Sequence, residues 1–108
     1  MPTAHLILGQ AAPATSSNIF TVPASTTYIV STLVVANTTT SASTVRVHAR
    51  QAGAAAATSN AVVYDASIPA NSTVSFTLGM TFATTDVLTV VAGTSGALTV
   101  TAFGSSLT

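Results

Sequence analysis

The chain offers few groups that could do chemistry. Its acids and bases are His5, His48, Asp65 and Asp86, and its permanent cations are Arg46 and Arg50. There is no Lys, no Glu and no Cys. Hydrolytic catalysis needs a nucleophile, a general base and a group that orients the base. About a third of the residues are Ser or Thr, so hydroxyls are everywhere and none is distinguished. Gly93-Thr94-Ser95-Gly96 lacks the spacing of a G-x-S-x-G nucleophile elbow. Two carboxylates can serve a glycosidase, but Asp65 and Asp86 fall at strand ends, where Asp is an ordinary turn residue. Neither His lies at a metal-ligand spacing such as H-E-x-x-H, and thiolate sites are excluded. The expectation is a protein that is not an enzyme, with no catalytic residue, no metal site and no cofactor.

One concentration of positive charge stands out. Arg46, His48 and Arg50 alternate along a single segment, so a strand there would place all three on one face over roughly 13 Å. Such a face could anchor an acidic partner surface through bidentate Arg–carboxylate contacts. It could equally pair with Asp65 and Asp86, or sit in solvent. Two Arg residues release few counterions and no basic aromatic platform accompanies them, so no nucleic-acid partner is expected. Asn37-Thr38-Thr39 and Asn71-Ser72-Thr73 match the glycosylation sequon, a match expected by chance in so hydroxyl-rich a chain.

The elements that must position these groups read as strands. Only 4% of the 108 residues are charged, against ~25% in ordinary globular domains. A mean hydropathy of +0.65 nevertheless argues for a folded core and against disorder. The length suits one domain. Short β-rich runs at 3–9, 19–22, 27–37, 44–50, 61–65, 72–78, 86–92 and 97–103 are separated by turn residues, and the 79–85 connection has room for a short strand around 80–82. Segment 3–9 is either a first strand or an ordered arm, and 10–18, with Pro13, reads as a linker. Segment 27–37 is apolar on both faces, which suits a central strand or one half-covered by another subunit. In 44–50, Val45, Val47 and Ala49 alternate with the basic residues. Residues 51–60, QAGAAAATSN, read as a mobile or partner-ordered loop, too short for a stable helix. Segments 86–92 and 97–103, around the Gly-bounded 93–96 turn, read as a hairpin.

The fold class expected is therefore all-β: a single antiparallel β-sandwich, jelly-roll or Ig-like, of seven to eight strands. Residues 1–18 form an N-terminal arm or first strand plus linker, and residues 19–108 the sandwich domain. Val45, Val47, Val74, Phe76, Leu78, Leu88, Val90, Leu98 and Val100 should share one inter-sheet core. Tyr28, Tyr64 and the Phe residues are assigned mostly to core strands. Near-zero net charge favours association, and sheet edges are normally guarded by Lys or other charges that this chain lacks. Neighbouring subunits are expected to cover its edges and flat faces. The opening MPTAHLILGQ lacks the basic region and long apolar stretch of an export signal, and no apolar run reaches the ~18 residues of a membrane span. No membrane partner is expected.

Several segments resemble a group of small bacteriophage virion proteins. They are Ile19-Phe20-Thr21-Val22-Pro23-Ala24, Thr32-Leu33-Val34-Val35-Ala36-Asn37-Thr38, Ile68-Pro69-Ala70-Asn71-Ser72 continuing to Leu78-Gly79-Met80, Asp86-Val87-Leu88-Thr89-Val90, and Phe103-Gly104-Ser105. The resemblance spans most of residues 19–105 and rests on strand and turn features. It implies a non-enzymatic β-sandwich without cofactor, located in the virion and assembled in the host cytoplasm. The role implied is capsid decoration or cement, or a neck, tail or baseplate part. Partners would be the major capsid protein or other virion proteins, and further copies of the chain, with a trimer favoured. A carbohydrate-binding or adhesin module is the reading from a different class, and the absence of Trp weakens it. Three regions are the expected contacts: the N-terminal segment with Leu6, Ile7 and Leu8, the face of Arg46, His48 and Arg50, and the loop that begins at Gln51.

Overall fold

Alternating Val, Ile, Leu and Thr residues put one face of each segment into an apolar interior and leave hydroxyls on the other. The computed structural model describes residues 3–12, 15–77, 79–94 and 96–108. Its strands are β1 (Thr3–Ala11), β2 (Ser16–Thr21), β3 (Thr27–Asn37), β4 (Ser43–Arg50), β5 (Ala61–Ile68), β6 (Thr73–Phe76), β7 (Met80–Phe82), β8 (Val87–Ala92) and β9 (Leu98–Leu107). Two short 3-10 turns, Gln51–Gly53 and Thr58–Asn60, lie between β4 and β5.

The strands form two antiparallel sheets. One runs β1-β9-β3-β6, with β7 also paired to β3; the other runs β2-β8-β4-β5. Taking β6 and β7 as two halves of one strand, the pairs β1–β9, β2–β8, β3–β6/β7 and β4–β5 are those of one long hairpin. The additional pairs β3–β9 and β4–β8 roll that hairpin into two layers. Eight strands wound in this way make a jelly roll, which decides between the two sandwich types that the sequence left open.

Between the layers lies a single core that includes Val30, Leu33, Val35, Val45, Val47, Phe82, Leu88, Val90, Leu98 and Val100. Six of the nine expected core residues are fully enclosed there. Val74 and Phe76 are half-buried against its margin, because β6 is an edge strand, and Leu78 lies outside the described residues. Phe20, Phe82 and Tyr28 close one end. The Phe20 ring meets each of the others edge-on at 5.0 Å.

Three details differ from the sequence reading. Segments 86–92 and 97–103 are not a hairpin: β8 pairs with β2 and β4 in one layer, and β9 with β1 and β3 in the other. A Gly-bounded turn is needed for either connection, so the local signal could not separate them. Simple alternation in β3 also fails. A bulge at Ser31 turns the strand half a period, so Tyr28, Val30, Leu33 and Val35 face inward, and Ile29, Thr32 and Val34 outward. Finally, β5 continues past Asp65 and β9 past Gly104. Asp65 sits at φ +53° within a bulge. Gly104 lies where β3 approaches so closely that a Cβ would collide with the Ile29 carbonyl.

Candidate interaction surfaces

The basic segment lies on β4, in the interior of its sheet, flanked by β5 and β8. Arg46 faces the bulge of β5, where Tyr64 and Asp65 together oppose it. Its Nε–H donates to Asp65 Oδ1 at 2.6 Å and its Nη2–H to Oδ2 at 3.1 Å, a two-pronged pair. The same guanidinium stacks on the Tyr64 ring, 4.2 Å from its centre. The hydrogen bond from Arg46 holds the Asp65 carboxyl below the usual carboxylate range and raises Arg46 in return. Arg46 is thus already neutralised on the surface by a partner within the chain.

His48 and Arg50 point to the same side but lie beneath the 51–60 loop. His48 is 5% exposed, and its Nδ1 lies 3.1 Å from the Ala57 carbonyl and 2.9 Å from Asn60 Oδ1. Both are acceptors, so Nδ1 carries the proton. Arg50 donates from Nε to the Ala54 carbonyl at 2.5 Å and from Nη2 to Gly53 at 3.0 Å. Its Nη1 reaches Thr89 Oγ1 and Asn18 Oδ1. Asp86 accepts from the Ala52 N–H, and Asn60 donates to the Ala55 carbonyl. The loop, expected to be mobile or partner-ordered, is hydrogen-bonded along its length by His48 and Arg50 of the strand before it, by its own Asn60 and, from across the fold, by Asp86. The three basic residues hold their own structure together; of the three, Arg46 keeps the most exposed side chain, and Gln51 and the loop after it to Ser59 lie on the surface.

The N-terminal segment is a strand of the sheet. β1 pairs with β9 from Thr3↔Leu107 to Ala11↔Val100, with a bulge at Leu8. The bulge turns Leu8 into the core, while Leu6 and Ile7 remain 42% and 49% exposed. Ile7 aligns with Phe103, which aligns with Thr32, so these three share the outer face of the five-stranded sheet. Ile29 and Phe103, 36% and 39% exposed, extend the apolar surface across β3 and β9. Leu6, Ile7, Phe103, Ser31 and the backbone at Gly104 line a shallow open depression. Around it, His5 Nδ1 meets Ser105 Oγ at 2.9 Å, and Ser31 Oγ donates to the Phe103 carbonyl.

The outer face of this sheet carries no charged side chain. Arg46, Asp65 and Arg50 belong to the opposite sheet, and Asp86 to the turn that enters β8. Ile29 was not legible as a surface residue, because the bulge at Ser31 reassigns which residues of β3 face out; Phe103 follows from the plain alternation of Leu98, Val100 and Ala102 inward along β9. Tyr64, read as core, is 51% exposed, with Arg46 over its ring.

Among the described residues, no three His, Asp or Glu side chains gather in a way that could hold a metal ion. Comparison of the chain with protein-family models, curated protein sequences and solved structures finds no match.

Proposed function

We propose that the chain is a non-enzymatic structural protein of a bacteriophage virion, a decoration or cement protein that binds the capsid shell as a homo-oligomer and stabilises it. The observation that carries this reading is the uncharged outer face of the five-stranded sheet, with Leu6, Ile7, Ile29 and Phe103 exposed on or beside it. Exposed apolar clusters of this kind mark contact surfaces. A rigid two-layer body that presents one such face can bury it against a neighbour without rearranging. The segments that resemble small virion proteins agree with this role. So does the jelly roll, a fold used by viral shells, although by lectins and cupins as well, so the architecture supports the reading only by analogy. Each copy needs to contribute only weak affinity, because many copies act together on a shell.

The test is reconstitution. Purified chain is added to particles assembled without it, and retention of the packaged genome is followed during heating. Saturable binding with delayed genome release is the expected result. Particles that neither bind the chain nor change in heat stability would overturn the cement role.

A further inference from the structure

We infer that the outer face of the β1-β9-β3 sheet is a self-association surface, on which a second copy of this chain packs across a two-fold axis. The inference deepens the assembly reading above by naming the partner of that face.

Charge placement is the first argument. In a two-fold contact each residue near the axis meets the same residue of the other copy. A charge placed there would face its like, which costs several kcal/mol. The chain has four charged side chains, and all of them lie off this face. The residues that do occupy it are neutral, and His5 is the single titratable side chain beside the cluster. A partner recognised by charge would find nothing complementary here, whereas a second copy meets a face that does not repel itself.

Area is the second argument. The body is flat, with principal extents of 44 × 27 × 19 Å, so its broad faces are large for its size. A standard stable interface takes ~800 Å² from each partner. That is about 15% of the 5272 Å² that this chain exposes, an amount one broad face can supply. Ile7, Ile29 and Phe103 contribute on the order of 200 Å² of it, at ~150–200 Å² per complete side chain, and Leu6, aligned with Gly104 and inward-facing Val30, adds only at the edge of the sheet. The methyl groups of Thr32, Thr99 and Thr101 extend that apolar centre, and Gln10, Ser31 and Ser105 ring it with hydrogen-bonding groups. An apolar centre inside a polar rim is the ordinary anatomy of a protein–protein interface. Two such sheets stack at the ~10 Å spacing of packed sheets. The elementary contact is then a pair, in place of the trimer expected from the sequence.

Sedimentation equilibrium of the full chain tests this directly. The wild type should be a dimer that dissociates on dilution. Ile7→Lys and Phe103→Lys, which put a charge at the centre of the contact, should each raise the dissociation constant roughly thirtyfold or more, the effect of losing a hot-spot side chain. Ser67→Lys, on the exposed side of the other sheet, should leave it unchanged. If Ile7→Lys loses its β-sheet circular dichroism, Thr99→Lys reads the same contact from an exposed position on β9. A wild-type chain that is monomeric at every attainable concentration overturns the inference, including the case in which the face becomes protected only on a capsid shell. So does a dimer that Ile7→Lys and Thr99→Lys leave intact, or one that Ser67→Lys disrupts as strongly. A dimer that responds as expected, from a chain that binds no particle, upholds this inference while removing the virion reading.

Discussion

Truncating Phe82 should be far more damaging than truncating Phe76, although the sequence pattern assigns both to strands and favours Phe76 as the core residue. Phe82 is 2% exposed and ends β7, where its ring meets Phe20 edge-on at 5.0 Å and 86°. Phe76 is half-buried at the margin, on the edge strand β6. Replacing an enclosed Phe by Ala costs ~3–5 kcal/mol through lost transfer energy and the cavity left behind. The edge-on contact with Phe20 adds ~0.5–1.5 kcal/mol, which places Phe82→Ala in the upper half of that range. Phe76 removes less surface from water, and its site at the sheet margin can relax around the change, so Phe76→Ala should cost about 2 kcal/mol. A domain of this size holds ~5–15 kcal/mol in total, so the Phe82 variant is marginal and the Phe76 variant is not. Urea unfolding followed by circular dichroism reads both. With a slope of ~2 kcal/mol/M, the midpoint should fall by about 2 M for Phe82→Ala and about 1 M for Phe76→Ala, with the slope unchanged. Protein concentration must be held fixed, since self-association adds to apparent stability. If Phe76→Ala costs as much as Phe82→Ala, or if Phe82→Ala is nearly silent, the pairing of β6 and β7 along β3 is misassigned.

Other outcomes follow from single contacts. Asn37 is buried and makes four side-chain hydrogen bonds, donating to the Ser41 and Ile68 carbonyls and accepting from the Thr39 N–H and hydroxyl. Asn37→Ala leaves the Ile68 carbonyl and the Thr39 N–H without these partners and should cost ~2–3 kcal/mol by thermal unfolding; a change within error would refute the network. Gly104→Ala drives a Cβ into the Ile29 carbonyl, so it should destabilise by ~1–3 kcal/mol and weaken self-association as β9 shifts against β3. Wild-type stability in the Gly104→Ala variant would mean that the two strands are further apart. The Asp65 carboxyl is held low by its hydrogen bond from Arg46. The pair's stabilisation is therefore complete above the ~3.9 of an unfolded Asp and is lost as pH falls through the lower folded-state value. Both side chains lie in solvent, so the effect on stability is small. The direct readout is the Asp65 carboxyl titration by nuclear magnetic resonance, which Arg46→Ala should return to the ordinary range.

The strands were legible because β structure writes itself locally. Val45, Val47 and Ala49 against Arg46, His48 and Arg50 give the orientation of β4 directly, and the apolar 27–37 run marks β3 as an interior strand. Features that depend on one-residue insertions were not. The bulges at Leu8 and Ser31 leave composition untouched yet change which residues face out, hiding Ile29 as surface and Leu8 as core. Gly104 looks like the end of a strand, and only the approach of Ile29 shows why glycine must stand within one. The 51–60 loop looked unanchored because its bonds run from polar side chains to loop backbone, which composition does not reveal: His48 and Arg50 from the strand just before it and Asp86 from across the fold. For the candidate surface, Leu6 and Ile7 could be named from sequence, but the face they belong to could not.

The most direct test of the assembly role is a cryo-electron microscopy map of the particle whose genome encodes this chain, with every copy located. A jelly roll in hundreds of copies on the outside of the shell, its β1-β9-β3 face buried against another copy, is the expected result. A few copies at the neck or tail would contradict the cement role, and no copy on any part of the particle would contradict the virion reading itself.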